Sequence, residues 1–325
     1  MPGKILVSFV VIAYNEAANI SRTLTAINAL EELGAHEVIV VDDGSRDRTA
    51  EIVTEISRTS PSVRLVELGH NRGRGFARHR GIAEARGEFI ATVDADTVLP
   101  PDWLIQARAA IDGHDAVGGT PVPDGDVAYL HRRFRLEPRP VTAATTVTGS
   151  NGLYRGEVFN LVSYDPTLRE GEDVALNHAM RRRGLSVAGV PGLVASHEED
   201  KSFGASVRWL FDSGRGATRQ LLTYREIRQP DVAAGGFVAA TALGLLAAAR
   251  GRRALAAALP AAYVTAASVQ HVRSRFETSR SPWTRVAPAV ATDGVLLTSY
   301  FLGRLAGLAG LAALRRRRTG PGTRT

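Results

Sequence analysis

Phe89-Ile90-Ala91-Thr92-Val93-Asp94-Ala95-Asp96 is a short apolar, β-branched run that ends on two carboxylates one residue apart. The first five residues suit a strand buried on both faces. The two aspartates then fall at its carboxyl end, where an open α/β sheet gathers its functional loops. Two carboxylates so placed can hold a hard divalent cation, which in turn binds a diphosphate. Alone, the pair reads equally well as a solvated turn or a helix cap, and its companions decide.

Upstream, the same pattern repeats. Ile5–Ile12 predicts a first strand, followed by Ala13-Tyr14-Asn15-Glu16 and a helix within Asn19–Leu33, with Ile20, Leu24, Ile27 and Leu30 at helical spacing. Glu37–Val41 predicts a second strand ending in Asp42-Asp43-Gly44-Ser45, where Ser45 or Asp47 caps a helix running through Ile56. Val63–Leu68 predicts a third, followed by Asn71-Arg72-Gly73-Arg74-Gly75 and a helix over Phe76–Ala85 that Gly87 ends. Downstream, Pro100-Pro101-Asp102 opens a helix over Trp103–Ile111. Such βα alternation implies a mainly parallel sheet with right-handed crossovers. The polar clusters outline one pocket, with carboxylates for a base and ribose and cations for phosphate. Residues 113 to about 200 are less regular. They hold Thr148-Gly149-Ser150-Asn151-Gly152, then Arg169-Glu170-Gly171-Glu172-Asp173, a helix through Arg183, and short strands at Val187–Val190 and Val194–Ser196.

The 325 residues exceed one minimal domain, and composition shifts after Pro230. Val232–Ala249 and Ala254–Gln270 carry no charge and are separated by Arg250-Gly251-Arg252-Arg253; Val286–Leu314 is broken by Asp293 and Arg304, which share a helix face and could pair there or meet headgroups. The 18-residue run Val232–Ala249 would span about 27 Å as a helix, near the minimum for a bilayer. The net charge of +7 comes almost wholly from arginine, Lys4 and Lys201 being the only lysines, and fits anionic headgroups or phosphorylated substrates. Without interleaved aromatics it does not suggest nucleic acid. With no cysteine, thiolate zinc sites and cysteine nucleophiles are excluded. The early apolar run is too short for a secretory segment, so the first domain is expected on the cytoplasmic side of the cell membrane.

The ordered motifs VVIAYNEAANI, VVDDGSRDRT, NRGRGFARHRGIAEARGEFIATVDADT, TGSNGLYR, EGEDVALNHAMRRRG and VASHEED resemble family 2 of the inverting glycosyltransferases over roughly residues 5 to 210. More loosely, the chain is similar to membrane-anchored polyprenyl-phosphate and cell-envelope sugar transferases. The resemblance implies the GT-A fold, a mixed, mainly parallel sheet flanked by helices, here with C-terminal membrane helices. It implies a nucleotide-sugar donor (UDP- or GDP-linked), a lipid-linked or glycolipid acceptor, and a divalent metal, Mn2+ or Mg2+. By the same resemblance Ala13, Tyr14, Glu16, Asp42, Asp43, Arg74, Arg78 and Asp94 face the donor. Asp96, with Asp94 and His197, holds the metal. Asp173 is the catalytic base and Glu172 orients or caps. Gly149, Ser150 and Asn151 serve the acceptor. Apart from the resemblance, Arg208 and Trp209 lie in a basic, aromatic segment that could hold the acceptor's headgroup or the donor diphosphate. Helix entry alone would also explain an acidic pair at 172–173. Ala205 stands where processive synthases place a glutamine three residues before their Arg-Trp pair, which argues against a polymerase. The expected organisation is a catalytic domain over 1–210, a basic linker over 211–231, membrane-associated helices within 232–314 (232–249, 254–270 and 286–314), and a basic disordered tail over 315–325.

Three other readings fit the sequence less well. An aspartyl-phosphate phosphotransferase would need a lysine and an acidic pair after Asp94-Ala95-Asp96, and only Lys201 follows. A degenerate transferase serving as a membrane scaffold would lack acidic residues that this chain keeps. A dinucleotide-binding dehydrogenase is set aside, since no G-x-G-x-x-G joins the first strand to its helix.

Overall fold

The computed structural model describes residues 5–119, 125–139, 146–197, 202–225 and 227–318. The Glu198-Glu199-Asp200 end of the last motif, Lys201 and the 319–325 tail lie outside the described residues. In chain order the elements are β1 (Val7–Ala13), α1 (Ile20–Asn28), β2 (His36–Asp42), α2 (Thr49–Thr59), β3 (Val63–Glu67), α3 (Arg74–Glu84), β4 (Phe89–Asp94), β5 (Thr97–Val98), α4 (Trp103–Ala110) and β6 (Ala116–Gly118). There follow α5 (Gly125–Phe134), β7 (Asn151–Arg155), α6 (Glu172–Arg182), β8 (Val187–Gly189), β9 (Ser196–His197), α7 (Phe203–Tyr224), α8 (Gln229–Ala249), α9 (Leu255–Arg275) and α10 (Trp283–Arg318).

The chain divides into two compact units: Met1–Asp124 with Pro140–Glu199, and Gly125–Arg139 with Asp200–Thr325. The first holds a seven-stranded sheet of order β3-β2-β1-β4-β7-β6-β8. β1, β2, β3 and β4 are parallel neighbours, as their βα alternation dictates, and β7 enters antiparallel to both β4 and β6. β1, β2 and most of β4 are buried, which explains their unbroken apolar runs. Trp103 of α4 is fully buried beside Phe9, ring centroids 6.5 Å apart. Register does the rest of the positioning. Ile12 pairs with Asp94 and Ala13 with Asp42, so the polar ends of β1, β2 and β4 stand level. A second, two-stranded ribbon pairs Thr97 with His197 and Val98 with Ser196.

The second unit is helical. α8 and α9 form an antiparallel hairpin in which Gly236 lies against the Tyr263 ring and the Tyr263 hydroxyl donates to the Ala233 carbonyl at 2.8 Å. α7 and α10 run parallel: Ser299 Oγ donates to Val207 O at 2.6 Å and Thr218 Oγ1 to Arg304 O at 2.9 Å. Gly214 and Gly303 let the two backbones meet, since a Cβ on either would overlap a carbonyl of the other helix. α5 packs Leu130 and Phe134 into a core with Leu210, Val272, Val286 and Leu296. Three of the described helices are long and apolar enough to cross a membrane by length and composition, over Gln229–Ala249, Leu255–Arg275 and Trp283–Ala309.

Several expectations are corrected. The segment 211–224, expected within a linker, completes the 22-residue helix α7. Arg315–Arg318 continue α10 instead of opening a disordered tail. Asp293 and Arg304 do not pair with each other: Asp293 meets His271 at 2.8 Å, and buried Arg304 bonds Asp231. The irregular stretch after residue 113 contributes two sheet strands, β6 and β7, too short to show a period-two pattern.

Candidate active site at the carboxyl ends of the strands

Three loops meet above β1, β2 and β3, and backbone hydrogen bonding explains each. Gly44 has φ +75°, and a Cβ there would meet the His70 backbone, so the Asp42-Asp43-Gly44 turn requires glycine. Asp42, 3 % exposed, accepts from the Ser45 amide at 3.0 Å and from its hydroxyl. Asp43 accepts from the Arg72 amide at 2.6 Å and the Gly73 amide at 2.8 Å. The Ala13 carbonyl accepts from the Asp43 amide at 2.8 Å. Both aspartates therefore organise loops first. Tyr14 is 41 % exposed, the Glu16 amide donates to Thr49 Oγ1 at 2.8 Å, and the Glu16 carboxylate accepts from Asn19 at 2.8 Å. Asp47 ties the first two loops, accepting from the Ala17 amide at 3.0 Å and from Thr49 Oγ1 at 2.5 Å.

The glycine-rich loop before α3 is not an amide cradle. Its four successive N–H groups are all donated: Arg72 and Gly73 to Asp43, Arg74 to Arg169 O at 3.4 Å, and Gly75 to Leu168 O at 3.0 Å. A Cβ on Gly75 would overlap the carbonyls of Asp165 and Leu168, so the 165–169 segment sits directly on this helix start. Anion binding by free helix-terminal amides is thereby closed off, and phosphate charge falls to side chains and to a cation.

At the end of β4, Asp94, Asp96 and His197 bring one ligand atom each within 4.8 Å of one another. His197, one hundred residues away, arrives through the β5–β9 ribbon, its Nε2 3.1 Å from Asp96 Oδ1 and its side chain 8 % exposed. Two carboxylate oxygens and an imidazole nitrogen make a donor set that fits a divalent cation of the Mn2+ type.

Behind the aspartates lies Arg78, 1 % exposed. Its Nη2 donates to Asp94 Oδ1 at 2.5 Å and its Nη1 to Glu172 Oε1. Burial works against the charge, but Asp94 and Glu172 hold the guanidinium protonated. Glu172 opens α6 after Gly171, which sits at φ +73°. Burial pushes its carboxyl up, Arg78 pulls it down, and the neighbouring Asp173 pushes it up again, for a net rise above the usual 4.5. Tyr154 and Tyr164 wall the pair; burial raises Tyr154 to about 12 and Tyr164 well above its ordinary value, so both stay neutral. Gly149 covers the guanidinium face, where a Cβ would overlap it. Asp173 is half-exposed, with Oδ1 accepting from the Val174 amide at 2.7 Å.

The expected site residues thus divide. Asp94, Asp96 and His197 converge, and Glu172 joins them through Arg78. Arg78 is corrected: expected at the donor, it is enclosed between carboxylates. Asn151 is corrected too. It is 0 % exposed, its oxygen accepting from Trp103 Nε1 at 2.7 Å and its nitrogen donating to Leu193 O at 2.9 Å, so it braces the fold and cannot meet an acceptor. Ser150 is buried and Arg74 exposed. Arg208 and Trp209 lie on α7 in the second unit, Arg208 exposed and Trp209 packed against that unit's apolar core. Sequence reasoning missed Asp47 and Arg169 as loop ties. Asp47 carries a readable signal, an acidic residue two before a helix threonine; Arg169 ties the loop with its carbonyl and with its guanidinium, which donates to Asn71 O at 3.4 Å and to Asn71 Oδ1, a contact across 98 residues that no local pattern announces.

Comparison with known proteins adds matches of family and fold. The model of a family described as glycosyl transferase family 2 matches residues 8–162. The chain is 37 % identical over 193 residues to the succinoglycan biosynthesis protein ExoO of Rhizobium meliloti (strain 1021), covering 52 % of this chain and 54 % of that one. It is 36 % identical over 146 residues to an undecaprenyl-phosphate 4-deoxy-4-formamido-L-arabinose transferase of Pseudomonas aeruginosa (strain LESB58), covering 44 % and 43 %. The chain therefore spans about half the length of the curated relatives it matches. Among solved structures, the mannosyltransferase PcManGT of Pyrobaculum calidifontis, determined with GDP-Man and Mn2+, superposes with a TM-score of 0.55 at 20 % identity, over 96 % of this chain and 87 % of that one, a likeness of fold.

Proposed function

Residues 8–162 match the model of glycosyl transferase family 2, and from that match we propose an inverting transfer of a sugar from a nucleotide-diphosphate donor to a membrane-linked acceptor at the cytoplasmic face. The observation that carries it is the convergence of Asp94, Asp96 and His197 at the end of β4, joined through Arg78 to the helix start that bears Asp173. Tyr14 and Glu16, with the loops that Asp42 and Asp43 organise, receive the nucleoside. Asp94, Asp96 and His197 would hold a divalent cation, which supplies positive charge to the leaving diphosphate. The nitrogen ligand favours Mn2+ over Mg2+. With the loop amides already spent, Arg74, at the exposed start of α3, is the side chain we assign to the same charge.

Asp173 is the base. Its Oδ2 takes the proton of an acceptor hydroxyl as that oxygen attacks the anomeric carbon from the side opposite the leaving group, and the centre inverts. If the acceptor is a phosphate, already ionised, Asp173 orients it instead. In the second unit, exposed Arg208 offers a cation to anionic lipid headgroups. A lipid-linked acceptor is supported by the three apolar helices and by the name of the Pseudomonas relative.

The test uses membranes carrying the full chain, Mn2+, and a panel of radiolabelled UDP- and GDP-sugars. Label entering the organic extract with the parent and not with Asp173→Asn supports the reading and identifies the donor. Label transferred only to water-soluble product removes the lipid acceptor; no transfer from any donor overturns the enzymatic reading. Asp173→Asn is expected to keep donor affinity within about threefold while turnover falls at least 100-fold, a general base contributing about 10²–10⁴.

A further inference from the structure

The contacts of Arg78 are incomplete in a specific way. A guanidinium binds a carboxylate best as a two-pronged fork. Here it gives one prong to Asp94 and one to Glu172. The division leaves Arg78 Nε and Glu172 Oε2 both buried and without hydrogen-bond partners among the described residues. Each such orphan is costly, the more so when charged, so the arrangement needs a reason. Charge supplies one. Asp94, Glu172 and Asp173 all act on two guanidinium groups, Arg74 and Arg78, and Asp96 stands beside Asp94. The two negative charges left over match one divalent cation.

We propose that Arg78 is a positioning residue that divides itself between Asp94 and Glu172, and that a divalent cation at Asp94 moves it onto Glu172 as a full fork. The inference rests on the metal site of the preceding reading. The cation and the guanidinium compete for the same carboxylate. Once Asp94 is engaged, the orphaned Nε and Oε2 satisfy each other's hydrogen-bonding capacity across the α3–α6 contact. The gain fixes the first turn of α6, where Asp173 follows Glu172 directly. Arg78 then reports metal occupancy to the base without touching substrate. Gly149 is part of the device, because a Cβ there would overlap the guanidinium where it now lies.

The experiment is Mn2+ binding to the full chain in detergent, read from the free-ion electron paramagnetic resonance signal, so that no turnover is needed. Glu172→Gln removes the alternative partner, keeps Arg78 on Asp94, and is expected to weaken Mn2+ binding about 3- to 10-fold. In an Arg78→Met background the same substitution should change affinity less than about twofold, because the competitor is gone. Simple loss of a nearby negative charge predicts equal weakening in both backgrounds, and that result would overturn the proposal. Gly149→Ala alters no charge but crowds the guanidinium, and should shift Mn2+ affinity by threefold or more. It serves as the deciding variant if Arg78→Met does not fold, and unchanged affinity there is equally fatal. A parent that binds no Mn2+ removes the metal site itself, whereas a parent that binds without coupling removes this inference alone.

Discussion

At the scale of residues, the site is built from carboxylates that fold loops as much as they face a ligand. Asp47 is the clearest case. Partial burial raises its carboxyl, but hydrogen bonds from Thr49 and the Ala17 amide outweigh that, and its pKa lies below the ordinary 3.8. A depressed folded pKa means stabilisation that is present above 3.8 and is lost as pH falls through the lower folded value. Asp47→Asn should therefore lower the thermal midpoint at neutral pH, and the difference from the parent should vanish in acid. The effect stays below about 1 kcal/mol, because the group is exposed and screened. His197→Ala should weaken Mn2+ binding about 10- to 100-fold without changing the melting profile, since the ribbon that carries it pairs through its backbone; an unchanged Mn2+ titration would remove it from the ligand set. Much of this was legible. Asp94 and Asp96 stand out as polar residues ending an apolar run, and the acidic pair at 172–173 as the entry to a helix. Arg78 and Asn151 were misjudged, because polarity in a sequence does not reveal the direction a side chain takes, and both turn inward to partners far along the chain.

Elements were legible where a period was long enough to count. β1 to β4 and α1 to α3 follow the expected order, with ends shifted by a few residues. The strand expected at Val194–Ser196 meets β9 only at Ser196; β5 and β9 are two residues each and owe their existence to each other, so local pattern alone does not fix them. The same is true of the helix pair α7–α10. Their contact is written in Gly214, Gly303 and Gly307, residues that lower helix propensity and pay back only as close backbone approach. Gly214→Leu should separate the helices and cost about 3 kcal/mol or more, seen as loss of a cooperative melt in detergent, whereas Gly235→Leu, which meets nothing within 4 Å, should be silent. On the sheet side, Trp103→Ala is expected to cost about 3–5 kcal/mol, because it opens a cavity beside Phe9 and leaves the Asn151 oxygen without its donor.

For the whole molecule, neither unit is continuous in sequence. α5 lies between two strands of the sheet unit yet buries Leu130 within the helical one. A fragment ending at residue 199 would keep every candidate catalytic residue of the sheet unit and strip α5 of its cover. It should aggregate, and recover solubility when Leu130 and Phe134 are made polar; a soluble unmodified fragment would refute this account. The sequence-level division at residue 210 could not foresee it, since α5 is amphipathic and amphipathic helices serve either unit equally well. The β5–β9 ribbon has a consequence in time. Both aspartates leave the ribosome about a hundred residues before His197, and the first apolar helix begins only at Gln229. A nascent chain thus gains the third candidate ligand shortly before the segment that would hold it to a bilayer. A chain released before the ribbon would carry two of the three candidate ligands and none of the three apolar helices.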